Sequence, residues 1–167
     1  MNCINEKIKE RGFVPGECLM KGLMISFLLT LLTFLTGHAG EKPVSKGSIN
    51  VEVSGLRSNA GEVRVNLYDS KDGFPSEPKK AVMSLVSKIE NNGAKVVFKD
   101  IPFGDYALSV LHDENGNKKM DLNWLMIPKE GIGASNNPKG SFGPPSFSDA
   151  KFRLSSEELD IKITVRY

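Results

Sequence analysis

Leu159-Asp160-Ile161-Lys162-Ile163-Thr164-Val165-Arg166-Tyr167 sets an apolar side chain at every second position to the end of the chain. A period of two puts Leu159, Ile161, Ile163, Val165 and Tyr167 on one face of a strand and the polar residues on the other, as in a sheet buried on one side. The same alternation occurs upstream, with Ile49, Val51 and Val53 against Asn50, Glu52 and Ser54, and Val63, Val65 and Leu67 against Arg64, Asn66 and Tyr68. Ala81 to Val86, Ala94 to Lys99 and Gly104 to His112 read as further strands, and Phe152 with Leu154 suggests a short one. Between them stand Ser58-Asn59-Ala60-Gly61, Lys71-Asp72-Gly73-Phe74-Pro75, Asn91-Asn92-Gly93 and Pro102-Phe103-Gly104, all turn sequences. No segment after Ala39 carries a helical period. The expectation is an all-β fold, a single antiparallel β-sandwich of about seven or eight strands.

The sandwich is expected over residues 47–167, after a linker at 40–46 and an N-terminal extension with a cleavable signal peptide at 1–39. Met20-Lys21 precedes an uncharged apolar stretch, Gly22 to Thr36, and Gly37-His38-Ala39 supplies a small-x-small cleavage pattern. That stretch falls short of the ~20 residues a membrane helix needs, so cleavage after Ala39 is expected, with no stable span afterwards. Met20 is the expected start of translation. Both cysteines, Cys3 and Cys18, lie in the extension, which leaves the expected domain without disulfide, thiol nucleophile or thiolate metal site. It also leaves His112 as the single imidazole and rules out zinc sites built on several histidines. With 22 Lys and Arg against 20 Asp and Glu and no basic run, nucleic acid is excluded as a partner class. The expected location is periplasmic or secreted.

Two stretches carry the candidate chemistry. His112-Asp113-Glu114-Asn115-Gly116-Asn117-Lys118-Lys119-Met120-Asp121 ends an apolar strand with oxygen side chains at Asp113, Asn115, Asn117 and Asp121. These occupy the first, third, fifth and ninth positions of a calcium loop, so calcium is the candidate cofactor and those four the candidate metal ligands. The sharp-turn glycine of such a loop is replaced by Lys118 and the bidentate glutamate by Trp124. Lys118 and Lys119 would each cost a divalent ion roughly 1 kcal/mol at about 8 Å in a water-like dielectric. The alternative is an Asn-Gly hairpin or Asx-turn closing two strands. His112 continues the row of Tyr106, Leu108 and Val110, which favours a satisfied histidine at the mouth of the core, while Asp113 points to the opposite face.

The second stretch, 128–147, concentrates Gly131, Gly133, Gly140, Gly143 and Pro128, Pro138, Pro144, Pro145 into one long loop, pinned by Ile132, Phe142 and Phe147. Candidate ligand-binding residues are Asn136 and Asn137, with Trp124, Phe142 and Phe147 as stacking surfaces for a sugar or another flat face. The alternative is a loop that covers a sheet edge. No helix follows the glycines, so no phosphate cradle is expected. Tyr68, Phe74 and Trp124 are further candidates for an exposed interface.

Two resemblances bear on these readings. Phe98-Lys99-Asp100-Ile101-Pro102-Phe103-Gly104-Asp105-Tyr106-Ala107-Leu108 resembles the phrase in transthyretin-like and carboxypeptidase-regulatory-like sandwiches where a strand ends in Leu-Pro-x-Gly and the next begins with Tyr. From His112 through Phe147, His-Asp-Glu-Asn-Gly-Asn, Ile-Pro-Lys-Glu-Gly, Ser-Asn-Asn and Phe-Gly-Pro-Pro-Ser-Phe together resemble the exported bacterial family known as domain of unknown function 2141. The resemblance extends over about 47–167. It implies export and an Ig-like or transthyretin-like sandwich, and carries over no catalytic residue. Lys118 departs from the family pattern, where a second glycine completes an Asn-Gly-Asn-Gly turn.

The expected function is that of an exported binding or accessory domain, with loops 113–121 and 128–147 acting together on a small molecule, a glycan or an envelope protein. A purely structural envelope role is one alternative. Another is a periplasmic hydrolase using His112 with Asp113 or Asp121, which requires an exposed His112 with Asp121 in hydrogen-bond reach. A His112 buried and bonded to backbone removes that reading.

Overall fold

The computed structural model describes residues 45–139 and 143–167. The signal-peptide and start-site expectations at 1–39, most of the linker, and Gly140 and Phe142 lie outside the described residues. The described residues form two packed sheets. β1 (Lys46–Ser54), β4 (Ala94–Pro102) and β8 (Glu158–Thr164) make a three-stranded sheet in the order β4-β1-β8. β2 (Glu62–Tyr68), β3 (Met83–Ser87), β5 (Gly104–Asp113) and β6 (Gly131–Ala134) make the other in the order β3-β2-β5-β6, with β7 (Phe152–Leu154) pairing the start of β5. A single turn of helix, α1 (Phe147–Ala150), precedes β7 and is closed at its start by a capping box between Ser146 and Asp149.

The alternating residues meet between the sheets. Ile49, Val51, Val53, Val63, Val65, Leu67, Phe98, Leu108, Val110 and Ile163 are all buried in one cluster. Truncating Phe98, which has no exposed surface, would remove about 3–5 kcal/mol of stability. The 98–108 phrase is the corner where the chain leaves one sheet for the other. β4 ends at Pro102, Phe103 turns, β5 starts at Gly104, and the Tyr106 hydroxyl donates to the Pro102 carbonyl at 2.9 Å.

Among the described residues the strands pair antiparallel with one exception: β1 and β8 run parallel, Ser48 beside Glu158 through Ser54 beside Thr164. Parallel neighbours need a long crossover, and here nearly the whole domain lies between the two strands. Beyond β8 the C-terminal run changes sheets. The Val165 amide bonds the Ser54 carbonyl at 2.8 Å, and Arg166 then exchanges two 2.8 Å bonds with Ile132 of β6.

The 128–147 stretch is not one loop. It contains β6, which pairs with Ser109 to His112 of β5. Gly131 and Gly133 serve packing there. A Cβ on Gly131 would stand 2.5 Å from Val165 Cγ1 and 2.6 Å from Tyr167 Cζ, so only glycine lets the C-terminal run close over β6. Gly131→Ala is therefore expected to cost about 1–3 kcal/mol by overpacking, read as a fall of several degrees in the thermal unfolding midpoint.

Candidate functional site

β5 is the strand from which the candidate residues are hung. Its inner row, Tyr106, Leu108, Val110 and His112, is buried in the core, and Ala107, Ser109 and Asp113 are buried as well. Ala107 packs with Ala134 and Ala150, which α1 and the end of β6 bring over that face. β5 is thus covered on both sides, and the chain beyond Asp113 departs from a rigid base.

His112 has no exposed surface. Its Nε2 lies 2.8 Å from the Ala60 carbonyl and its Nδ1 2.5 Å from the Tyr167 hydroxyl. A carbonyl can only accept, so Nε2 carries the proton and Nδ1 accepts from the tyrosine. The Tyr167 oxygen in turn accepts the Arg57 amide at 3.1 Å. Both ring nitrogens are committed and Asp121 is bonded elsewhere. The hydrolase reading required an exposed histidine, and the structure buries it because β5 carries it into the sandwich on the inner row.

The oxygen-rich loop does converge. Asp113 is buried, and its carboxylate accepts the amides of Asn117 at 3.1 Å and Lys118 at 2.7 Å. Asn115 Oδ1 accepts the Asn117 amide at 3.0 Å, and Asn117 Oδ1 the Lys119 amide at 2.8 Å. The carboxamides of Asn115 and Asn117 both donate to Asp121, at 2.6 Å and 3.0 Å. The four candidate ligands are neighbours, as their spacing predicts, but their oxygens face N–H groups. This is the Asx-turn alternative drawn out over the loop. Lys118, at φ +66°, holds the left-handed position that a glycine fills at least strain.

Glu130 performs the same service at the far end of the loop. Only 4% exposed, it accepts the amides of Glu114 and Asp121, each at 3.1 Å. Arg57 clamps the outside: its guanidinium pairs with Glu114, bonds the Lys129 carbonyl at 3.2 Å and stacks 4.3 Å from the Tyr167 ring centre. Arg57, followed by Ser58, holds the Glu114 carboxyl below its ordinary value.

Between these anchors the chain projects a tip. Leu122 and Pro128 form a bridge, the Asn123 amide bonds the Ile127 carbonyl at 2.8 Å, and Asn123 Oδ1 accepts the amides of Leu125 and Ile127 at 2.8 and 3.0 Å. On this frame stand Trp124, Leu125, Met126 and Ile127, exposed by 88%, 54%, 73% and 54%. Four consecutive large apolar residues in water are an error in a sequence unless they have a use.

The family model described as an uncharacterized protein conserved in bacteria (DUF2141) matches residues 51–162, from β1 into β8. The chain belongs to this family. No curated protein and no solved structure matches it. In this DUF2141 chain the matched span includes the whole of the loop 113–130.

The other candidates in the DUF2141 domain fall elsewhere. Asn136 donates to the carbonyls of Asp149 and Lys151 at 3.2 and 2.9 Å. Asn137 donates to the Lys162 carbonyl at 2.9 Å and accepts the Thr164 amide at 2.7 Å, completing the exposed edge of β8 as another strand would. Phe147 is half-buried edge-on to Phe74, which stands edge-on to Tyr68. Tyr68 is fully buried, so of the three interface candidates only Trp124 is broadly exposed. The segment after β6 leaves beside Ser109, and the loop 113–130 enters beside His112. Among the described residues, the loop 113–130 and the segment after β6 therefore leave opposite ends of β6.

Sequence reading singles out Trp124 and passes over Leu125, Met126 and Ile127, because an apolar run ordinarily reads as core. The absence of alternation, with Pro128 at its end, is the available signal.

Asp113→Ala is expected to remove two charge-assisted bonds, to the Asn117 and Lys118 amides, and cost about 1–3 kcal/mol. With the loop closed on its own amides the midpoint should fall by several degrees, equally in calcium and in chelator; a calcium-dependent rise in the unaltered protein, lost in the variant, is the outcome the cation reading expects. Glu114 gives a pH test. Its folded pKa lies below the ordinary 4.5, so its contribution is present above that value and is lost as pH falls through the lower folded value. Arg57→Gln is therefore expected to destabilise most at neutral pH, and the gap from the unaltered protein to narrow below about pH 4.5, as followed by urea unfolding across pH.

Proposed function

We propose that the protein is an exported binding domain whose working surface is the loop 113–130, and that its partner engages the apolar tip Trp124–Ile127. The observation that carries this reading is the pairing of an exposed apolar tip with a buried, fully bonded base. Asp113, Glu130 and Asn123 fix the backbone at both ends and across the turn, while the four tip side chains stay in solvent. A loop that served only to close two strands would turn such residues inward, where each is worth about 1.5–3 kcal/mol of burial. Export rests on the Met20 to Ala39 sequence, with its apolar stretch and small-x-small end.

The reading needs no catalytic group. His112 and Asp113 are buried and bonded, and Asp121 is held by two carboxamides. Calcium stays a separate proposal for the Asp113, Asn115, Asn117 and Asp121 cluster, supported by the convergence of those side chains, and the chelator comparison decides it.

Replacing Trp124, Leu125 and Met126 together by serine is expected to leave unfolding free energy within about 0.5 kcal/mol per site, as for surface positions away from special features. The same variant should lose most of the fluorescence gained by anilinonaphthalene sulfonate on the folded protein. A collapse in stability would show that the tip serves the core and would end this reading.

A further inference from the structure

The occupant of the tip can be narrowed by asking what the tip's own backbone requires. Hydrocarbon offers no hydrogen bonds, so a segment that enters lipid must satisfy its amides and carbonyls internally. Here the Asn123, Leu125, Met126 and Ile127 amides are all bonded within the turn, to the Ile127 carbonyl, to Asn123 Oδ1, to the Asn123 carbonyl and again to Asn123 Oδ1. A turn meant for a protein groove gains by leaving such groups free for its partner. Met126 is held at φ +61°, a left-handed position that large side chains rarely take and that is retained where surrounding bonds over-determine it. The result is a short apolar wedge with four of its backbone amides closed off inside the turn.

The charges at its base are sorted by exposure. Lys118, Lys119 and Lys129 are exposed on the two legs of the loop. The carboxylates nearby are turned away: Asp113 and Glu130 are buried on backbone amides, Glu114 is paired with Arg57, and Asp121 is bonded to Asn115 and Asn117. Lysines on long stems can lie along an apolar surface with their ammonium groups at its polar boundary, and tryptophan favours that boundary too.

We infer that the tip Trp124–Ile127 inserts into the interface of an anionic phospholipid bilayer, with Lys118, Lys119 and Lys129 at the headgroups. The inference rests on the loop 113–130 being the binding surface. Insertion is shallow, about 5–10 Å into the headgroup and acyl boundary, and so belongs to reversible peripheral binding.

Trp124 is the only tryptophan in the chain, so its emission reports on the tip alone, whatever other segments touch lipid. The experiment is to titrate the purified protein with vesicles of phosphatidylglycerol and phosphatidylethanolamine, and separately of phosphatidylcholine. With the anionic vesicles, Trp124 emission is expected to move to shorter wavelength and to be quenched by lipids brominated in the upper acyl chain. The double variant Leu125→Asp, Ile127→Asp keeps the reporter and should weaken partitioning on the order of tenfold or more, given the cost of placing carboxylates in lipid. A variant with Lys118, Lys119 and Lys129 changed to glutamine should lose the preference for anionic vesicles, and an unchanged circular dichroism spectrum and midpoint would show that each variant is folded. Emission unmoved by either vesicle overturns the inference and leaves the tip to a protein groove, with the binding surface itself still judged by the serine variant. Equal insertion into both vesicles overturns the assignment to anionic lipid.

Discussion

Two buried carboxylates govern what this domain can present to its surroundings. Asp113 and Glu130 stand at the two ends of one long loop, and each takes two backbone amides that no strand is there to satisfy. A charged acceptor of amides is stronger than a neutral one, and once buried it is costly to disturb. The loop consequently behaves as an extension of the sheet. Without those anchors the tip would be a mobile apolar segment and a hazard; with them it is a fixed surface.

The base of that surface is itself secured by the C-terminus. Tyr167 reaches His112, Arg57 reaches Tyr167 and Glu114, and Gly131 leaves the space that Tyr167 fills. These residues come from the β1–β2 turn, the end of β5, the start of β6 and the last residue of the chain. The parallel β1–β8 pair makes the meeting possible, because it carries Val165 to Tyr167 past the edge of one sheet and onto β6 of the other. A histidine that looks like chemistry in the sequence is therefore a joint in the scaffold.

Much of the fold was legible. The alternation in β1, β2 and β8 follows from one buried face, and the turns between them from residues that tolerate sharp backbone angles. β6 was not legible, since Gly131-Ile132-Gly133-Ala134 has low strand propensity and is held by the close approach of Val165 and Ile163 to its glycines. The candidate site was half legible. Asp113, Asn115, Asn117 and Asp121 do gather, as their spacing requires, yet whether their oxygens face a cation or the loop's own amides depends on where the backbone doubles back. Asn136 and Asn137 likewise read as free amides until the end of α1 and β8 arrive to use them.

By itself the sequence determined the two-sheet architecture, the inner row of β5 and the place where unusual chemistry collects, because short-range periodicity and turn preference act along the chain. Only the tertiary structure decided that His112 and Asp113 are buried, that β6 lies within the 128–147 stretch, and that Trp124 to Ile127 stand outside the core. Those outcomes depend on contacts between residues far apart in the chain. An apolar run carries the same local signal whether it is buried or projected, and the difference is made by the carboxylates and carboxamides that hold its ends.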